Sequence, residues 1–172
     1  MKTSCVDIEN MNVELKPASD ADRIIVNNLW NYYLYDMSEY TRWPVSDEGS
    51  YVSLEPPLDD YWGRDDHHPF LIYCNDELAG FSLLRKYPGE AELNDIGQFF
   101  VLRKFKGLGL GRQAFRLSVS KYPGKWLTRV LEANEGALEF WTSVIGELTS
   151  GVYADEIEMY GKHRMHFFRY ET

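Results

Sequence analysis

The spacing of apolar and polar residues predicts a strand and a helix at the start of the chain. Residues 12–16 favour a short strand. Ser19, Asp20 and Asp22 then indicate a helix start, because short polar side chains cap helices and acids suit the positive end of the helix dipole. The helix is expected to reach about residue 37, with apolar and aromatic side chains recurring at helical spacing: Ile25, Leu29, Tyr32 and Tyr33.

Residues 38–66 interrupt this pattern. The segment contains Pro44, Pro56 and Pro57 together with many acids and aromatics, which predicts a long connection with some short helix. Connections of this length are often functional.

Strands are expected again after this connection. Two apolar runs, 70–74 and 78–84, flank Asn75, Asp76 and Glu77, a pattern typical of a hairpin. A third strand is expected over 92–102, and the next over 126–132. Helical stripes follow residue 110 and residue 137, and residues 152–170 fit one or two closing strands. The sequence contains neither internal repeats nor low-complexity segments.

The stretch FFVLRKFKGLGLGR, residues 99–112, places an apolar run before basic residues and alternating glycines. Gly107, Gly109 and Gly111 can let the backbone direct several N–H groups toward one point, where a helix also begins. This arrangement suits a phosphate or pyrophosphate. A tight turn from strand to helix, in which glycine only relieves strain, explains an isolated motif of this kind about equally well.

The charge distribution favours the anion-binding interpretation. The chain has 18 lysines and arginines against 27 acids, a net charge of −9, which makes nucleic acids and anionic membranes poor partners. Residues 85–129 differ, with ten basic residues and three acids. A basic block around the glycines favours a polyanionic cofactor, and the acidic remainder favours a cationic co-substrate. Lys121 and Lys125 can equally be solvated surface residues.

Length and cysteine content indicate one intracellular domain. A chain of 172 residues with 44% hydrophobic residues can bury one core, so we expect a single domain over 1–172. Cys5 and Cys74 are too few for a disulfide framework. Asp7 and Glu9 stand where a signal peptide would be basic, and no segment approaches about 18 apolar residues. We therefore expect a cytoplasmic location and no membrane partner.

The order of elements and the glycine motif together resemble the GCN5-related N-acetyltransferase (GNAT) family, in particular a subgroup of bacterial acetyltransferases. KGLGLGR is similar to the family's pyrophosphate-loop signature, with Lys106, Gly109 and Gly111 at the signature positions. The resemblance extends to PGKW, residues 123–126, and to a spaced set of residues after it: Asn134, Ala137, Phe140 and Trp141. P-loop and dinucleotide-binding motifs fit less well.

The resemblance implies an α+β fold of three α/β/α layers, the acyl-CoA N-acyltransferase (GNAT) fold. Its central sheet is mixed, mostly antiparallel and built of six to seven strands. A bulge in the fourth strand is also implied, and Gly97 could supply the flexibility for it.

Acetyl-CoA is the implied co-substrate, and no metal is expected. In the family, the strand before the loop pairs with the pantetheine arm and the loop amides bind the pyrophosphate. The residues implied in cofactor binding are Phe99, Phe100, Val101, Lys106, Gly107, Leu108, Gly109, Leu110, Gly111, Arg112, Asn134, Ala137, Phe140 and Trp141. Asn134 is also a good helix cap without any ligand.

The catalytic side chains are less closely specified. Trp141 occupies the position of the tyrosine that protonates the departing thiolate in many relatives, and an indole cannot do so; Tyr153 or Tyr160 could replace it. Glu92 and Asp95 lie where relatives often place the base, although surface acids at an edge explain them equally well. His163 remains an alternative proton acceptor.

The sequence thus predicts an N-acetyltransferase that acts by direct attack of a primary amine in a ternary complex. The acceptor is expected to be a cationic small molecule or a peptide amine, and a homodimer is left open. The wall of the acceptor pocket is expected to come from acidic and aromatic residues of the 36–66 segment, among them Trp43, Tyr51, Tyr61 and Trp62. The alternative is a non-catalytic module that binds or senses acyl-CoA.

Overall fold

The computed structural model describes residues 11–52 and 58–172. Cys5, the acidic start of the chain, Pro56 and Pro57 lie outside the described residues. The strands are β1 (Val13–Pro17), β2 (His67–Cys74), β3 (Glu77–Tyr87), β4 (Glu90–Val101), β5 (Lys125–Leu131), β6 (Ala154–Tyr160) and β7 (His163–Glu171). The helices are α1 (Arg23–Thr41), α2 (Asp60–Gly63), α3 (Leu110–Val119) and α4 (Glu135–Leu148), with short 3-10 turns at Asp20–Asp22 and Arg103–Phe105.

The seven strands form one mixed sheet in the order β1-β2-β3-β4-β5-β7-β6. Only β4 and β5 are parallel among these described pairs, and the other neighbours are antiparallel. The predicted α+β fold class is confirmed. The hairpin predicted between β2 and β3 is present, and its turn residues Asn75 and Asp76 have φ values of 49° and 63°, as a tight two-residue hairpin turn requires.

Helices cover both faces of the sheet. On one face, α1 and α2 pack over an apolar cluster that includes Val26, Leu29 and Phe81. On the other, α3 and α4 pack over a cluster that includes Phe115 and Ile145. This is the three-layer arrangement that the sequence predicted.

The first helix begins where the sequence predicted and ends later. The Asp22 carboxylate accepts hydrogen bonds from the Ser19 backbone N–H (2.8 Å) and hydroxyl (2.6 Å), which fixes the chain at the helix start. The helix continues past Met37 to Thr41, and Arg42 follows with a left-handed φ of 55°. This extension brings Thr41, at the end of α1, close to residues 97–99 of the central strand β4.

Strands β4 and β5 separate partway along their length. Their ladder joins Asn94–Ile96 to Trp126–Thr128 and extends no further. At the same level the register between β3 and β4 shifts, because Leu83 pairs with Gln98 and Leu84 with Ile96. Gly97 is therefore the extra residue of a β-bulge, as expected from the resemblance. Beyond the bulge the two strands leave an open cleft.

Candidate functional site

A cavity of about 430 Å³ occupies the cleft between β4 and β5. One side is formed by the two strands, and others by the end of α1, the start of α4 and the turn between β6 and β7. Its lining includes Tyr33, Met37, Trp43, Phe99, Arg129, Leu131, Asn134, Ala137, Trp141, Tyr160, Lys162, His163 and Met165. The residues predicted from the sequence that line this cavity are Trp43, Phe99, Asn134, Ala137, Trp141, Tyr160 and His163.

The glycine loop, residues 107–109, leads directly into α3. Gly107 and Gly109 have φ values of 77° and 81°, in the left-handed region that favours glycine. Gly109 caps α3, whose first N–H groups have no carbonyl partner within the helix. The loop is largely exposed. Open amides at a helix N-terminus can bind a phosphate group, so this part of the chain fits a pyrophosphate.

Gly111 has a different role from the one its spacing suggested. It lies inside the first turn of α3, not in the left-handed region. A Cβ atom placed there would lie 3.3 Å from two ring carbons of Phe140. Gly111 therefore permits close packing of α3 against α4, which the alternating glycine pattern alone could not reveal.

The basic residues around the loop are engaged in ion pairs. Lys106 Nζ lies 3.2 Å from Asp36 Oδ2, and Arg103 contacts the other oxygen of the same carboxylate at 2.7 Å. Arg112 pairs with Glu147. The side chains of Lys106 and Arg112 thus form ion pairs with α1 and α4, respectively. The backbone amides of the glycine loop and of the first turn of α3 are therefore the groups best placed to bind an anion.

The residues of β4 before the loop alternate between the two faces. Phe99 packs against Trp141, with ring centroids 5.3 Å apart, and Phe100 packs against Phe81 beneath α1. Val101 lies beside the buried Leu110 and Ala114 of α3. Past the ladder with β5, the edge of 99–101 that faces the cleft is available for pairing with an extended ligand.

Asn134 and Trp141 connect the cavity to α4. The Asn134 Oδ1 atom accepts a hydrogen bond from the Ala137 backbone N–H at 3.0 Å, so Asn134 is the N-cap of α4 and also lines the cavity. Trp141 is 8% exposed and packs edge-on against Phe115 at 5.4 Å. The indole forms a wall of the cavity, and Phe140 packs beside it at 5.0 Å.

Glu92 and Asp95 do not line the cavity. The Glu92 side chain is 89% exposed and its nearest basic partner, Lys125, lies 3.9 Å away. Asp95 is fully buried, and its Oδ2 atom accepts hydrogen bonds from Arg85 (2.9 Å) and Arg129 (3.0 Å). A carboxylate held by two guanidinium groups away from the cavity is unsuited to take a proton from an acceptor. The geometry therefore argues against both residues as the base.

The turn between β6 and β7 brings two other candidate groups to the cavity. Tyr160 and His163 pair across the hairpin and both line the cavity, as does Lys162 between them. Tyr153, the other candidate tyrosine, packs against Phe168 in the core.

The sequence did not single out Arg129 as a site residue, although it lines the cavity with a side chain only 7% exposed. The signal for it was an arginine inside the apolar run of β5. Burial lowers the pKa of Arg129, but the charge of Asp95 and a hydrogen bond to Tyr160 outweigh that effect and hold the pKa above its ordinary value. The group is a permanent cation.

The connecting segment contributes less than expected. Trp43 lines the cavity, whereas Tyr61 and Trp62 pack in the cluster beneath α1. Tyr51 contacts Ser38 through its hydroxyl at 3.1 Å. Across residues 11–52 and 58–172, no Asp or Glu lines the cavity, which gives no support to the cationic acceptor expected from whole-chain charge.

The described part of the chain contains neither a metal-binding cluster nor a membrane-spanning helix. No group of three or more His, Cys, Asp or Glu residues is placed there to hold a metal ion. None of its helices is long and apolar enough to cross a membrane.

Several solved structures share this fold. Spermidine N-acetyltransferase from Vibrio cholerae, in complex with CoA and spermine, has a TM-score of 0.65 at 13% identity, over 92% of this chain and 95% of that chain. The Salmonella typhimurium acetyl transferase that modifies the N-terminal serine of ribosomal protein L7/L12 has a TM-score of 0.62 at 14% identity, over 97% and 98%. A GNAT family acetyltransferase from Elizabethkingia anophelis with acetyl-CoA bound has a TM-score of 0.57 at 17% identity, over 94% and 99%.

Sequence comparison extends this likeness of fold to a family. No curated protein matches the chain. The profile of the Acetyltransferase (GNAT) family matches residues 30–146, which include the second half of α1, the glycine loop and most of α4. The match covers more than half of the chain and spans the elements that surround the cavity, so the chain belongs to the GNAT family of acetyltransferases.

Proposed function

We propose that this protein transfers the acetyl group of acetyl-CoA to a primary amine, by direct attack of the amine in a ternary complex. The observation that carries the proposal is the cleft between β4 and β5, which ends at two left-handed glycines and the N-terminus of α3. An extended arm with a phosphate at one end and a reactive group at the other fits such a cleft.

The proposed cofactor contacts divide between backbone and side chains. Amides of residues 107–112 would bind the pyrophosphate, and the free edge of residues 99–101 would pair with the pantetheine arm. Asn134, Ala137 and Trp141 would line the end of the cleft where the thioester lies. Lys106, Arg112 and Phe140 would act indirectly, by fixing the elements on either side.

The proton transfers are assigned to the β6–β7 turn. An ammonium must lose a proton before its nitrogen attacks, and an imidazole can accept protons near neutral pH, so we propose His163 as the acceptor, directly or through water. Tyr160 is proposed to donate a proton to the departing thiolate. A thiol has a pKa of about 8.5 and leaves without much assistance, so Tyr160 contributes less than the proton acceptor.

The acceptor is proposed to be a small molecule or a peptide amine. The relatives of similar fold include one that acts on spermidine and one that modifies an N-terminal serine. A cytoplasmic location is proposed, because the single described cysteine, Cys74, is buried and unpaired, which suits a reducing compartment.

Cofactor binding can be tested by thermal shift. Acetyl-CoA at a hundredfold excess over its dissociation constant should stabilise the fold by about 2.7 kcal/mol. Adenosine, which lacks the phosphates, should do much less. An equal response to adenosine, or no response to coenzyme A, would contradict the assignment.

A measurement of turnover distinguishes the acetyltransferase from the alternative, a non-catalytic module that binds or senses acyl-CoA. The module is favoured by Trp141, which lines the cavity at the position where the family resemblance implies a tyrosine. Release of coenzyme A should be measured with amines, polyamines, aminoglycosides and peptide N-termini. Turnover above the hydrolysis background with any acceptor decides for the enzyme, and binding without turnover across the panel decides for the module.

A further inference from the structure

The side of the cavity away from α3 and α4 combines apolar and basic side chains. Met37 comes from α1, Trp43 from the segment just after it, and Leu131 and Met165 from β5 and β7. Three side chains that carry or can carry positive charge complete this side: Arg129, Lys162 and His163. With no carboxylate among the described lining residues, this surface is complementary to a negative group attached to an apolar body.

Arg129 is the buried member of this basic group. Its guanidinium lies over the rings of Tyr160, at 4.8 Å, and Tyr87, at 5.4 Å. One terminal nitrogen donates to Asp95, while the buried Nε has no hydrogen-bond partner among the described residues. A fixed guanidinium with donor capacity left over is the group that recognises a carboxylate best.

The charges around Arg129 do not balance. Asp95 is shared by Arg85 and Arg129, whose side chains are 6% and 7% exposed. Two cations on one carboxylate leave one excess positive charge in a buried cluster. Such a charge is costly unless a further anion compensates it. Since Arg129 lines the cavity, a ligand there is able to supply the anion.

The cofactor is poorly placed to be that ligand. Along β5, Trp126 and Val130 point to the cluster under α3 and α4. Leu127 points to the opposite face, against Phe167, and Arg129, two residues on, shares that face with it. The glycine loop leads into α3 on the other side of the sheet. Arg129 therefore belongs to the acceptor side.

We infer that the acceptor of this enzyme carries a carboxylate close to its amine, bound by Arg129 with support from Lys162, and an apolar side chain packed against Met37 and Trp43. This inference rests on the proposed function and replaces the cationic acceptor. The acceptor class is that of apolar α-amino acids, and polyamines are disfavoured because the same cations repel them.

The test uses matched pairs of amines that differ only in the carboxylate. L-phenylalanine is compared with phenethylamine, and L-methionine with 3-(methylthio)propylamine, with spermidine as the cationic arm. Initial rates of coenzyme A release give kcat/KM for each. The member with the carboxylate should exceed its partner at least tenfold, mainly through a lower KM.

Two variants assign that preference to its residues. Arg129→Gln should abolish most of the carboxylate preference, and Lys162→Ala, at an exposed position in the β6–β7 turn, should reduce it several-fold. The matched control is Arg164→Gln, two residues after Lys162 on β7 but paired with Glu132 outside the cavity; it should retain the full preference. The Tm and the dissociation constant of coenzyme A are measured for every variant.

Equal or higher kcat/KM for the decarboxylated amines or spermidine would overturn the inference. So would a carboxylate preference that survives both variants, or coenzyme A binding without acetylation of any carboxylate-bearing amine. Should Arg129→Gln fail to fold, Lys162→Ala decides alone. If the protein without substitutions does not bind coenzyme A, that result would instead contradict the proposed function.

Discussion

At the scale of single residues, similar glycines in this chain meet different physical requirements. Gly109 has a left-handed φ and open space around it, whereas Gly111 has a helical backbone and a ring 3.3 Å from where its Cβ would lie. The alternating motif predicted the loop but could not separate these two roles, because the partner Phe140 lies far along the chain.

Gly109→Val should raise the dissociation constant of coenzyme A at least tenfold, because a β-branched residue disfavours the φ of +81° and disturbs the amides. Gly49→Val is the matched control, since Gly49 has a φ of +80° and equally open surroundings but lies outside the glycine loop. Denaturant unfolding should show a comparable loss of stability in both variants, and titration calorimetry should show a loss of coenzyme A affinity in Gly109→Val alone. Equal affinities would contradict the loop assignment.

The two acids predicted as bases should behave in opposite ways. Asp95→Asn should lower the free energy of unfolding by about 3–5 kcal/mol, because it leaves two buried guanidinium groups without their counter-ion. Glu92→Gln should change neither stability nor turnover, since its ion pair is exposed. Denaturant titration and coenzyme A release measure both effects. A stable Asp95→Asn variant with reduced turnover would restore Asp95 as a catalytic candidate.

At the scale of elements, the bulge in β4 depends on a specific contact with α2. A Cβ at Gly97 would lie only 2.4 Å from the Tyr61 hydroxyl oxygen and 3.2 Å from Arg85 Nε. Glycine is therefore required at position 97 because there is no space for a side chain. Its backbone dihedral angles do not require glycine, since Gly97 does not have a positive φ. Tyr61 belongs to the long connection after α1 and packs on the sheet face that α1 covers. The connection thus influences the site through the bulge in β4.

Gly97→Ala should destabilise the fold by about 1–3 kcal/mol through overpacking. Tyr61→Phe in the same chain removes the nearest atom and should recover part of that loss. A double-mutant cycle by thermal or denaturant unfolding measures the coupling. Additive effects would show that the Tyr61 hydroxyl does not limit the space at Gly97.

Local patterns predicted most of the elements but few of the contacts within the site. Strand alternation, the turn residues Asn75 and Asp76, and the cap at Asn134 are local signals, and the structure agrees with each. The pairing of Lys106 with Asp36 and the sharing of Asp95 by two arginines join distant segments. Residue spacing along the chain does not encode such contacts. The sequence therefore predicted that Lys106 contacts the cofactor and that Asp95 acts on the acceptor, without indicating their ion pairs.

At the scale of the whole molecule, two groups make stability depend on pH. Hydrogen bonds from Arg64 and His67 hold the pKa of Asp66 well below its usual range. Burial, together with the charge of His67, lowers the pKa of His68 below its ordinary value of 6.5. In both cases the unfolded chain binds the proton more readily, so both contributions to stability are complete at higher pH and are lost as the pH falls.

The protein should therefore lose stability in two steps on acidification, first below about pH 6.5 and again below about pH 4. His68→Gln should flatten the first step, and Asp66→Asn the second. Unfolding temperatures from pH 8 to pH 3 provide the measurement. A wild-type profile that is flat between pH 7 and pH 5 would contradict the contribution of His68.

The cluster of Arg85, Asp95 and Arg129 ties together β3, β4 and β5 at the level where β4 and β5 part. The width of the cleft is thus fixed by charged groups that are already in contact before any ligand arrives. A receptor organised in advance needs no slow isomerisation step before or after encounter. In stopped-flow experiments, the observed rate of coenzyme A association should rise in proportion to its concentration without reaching a plateau.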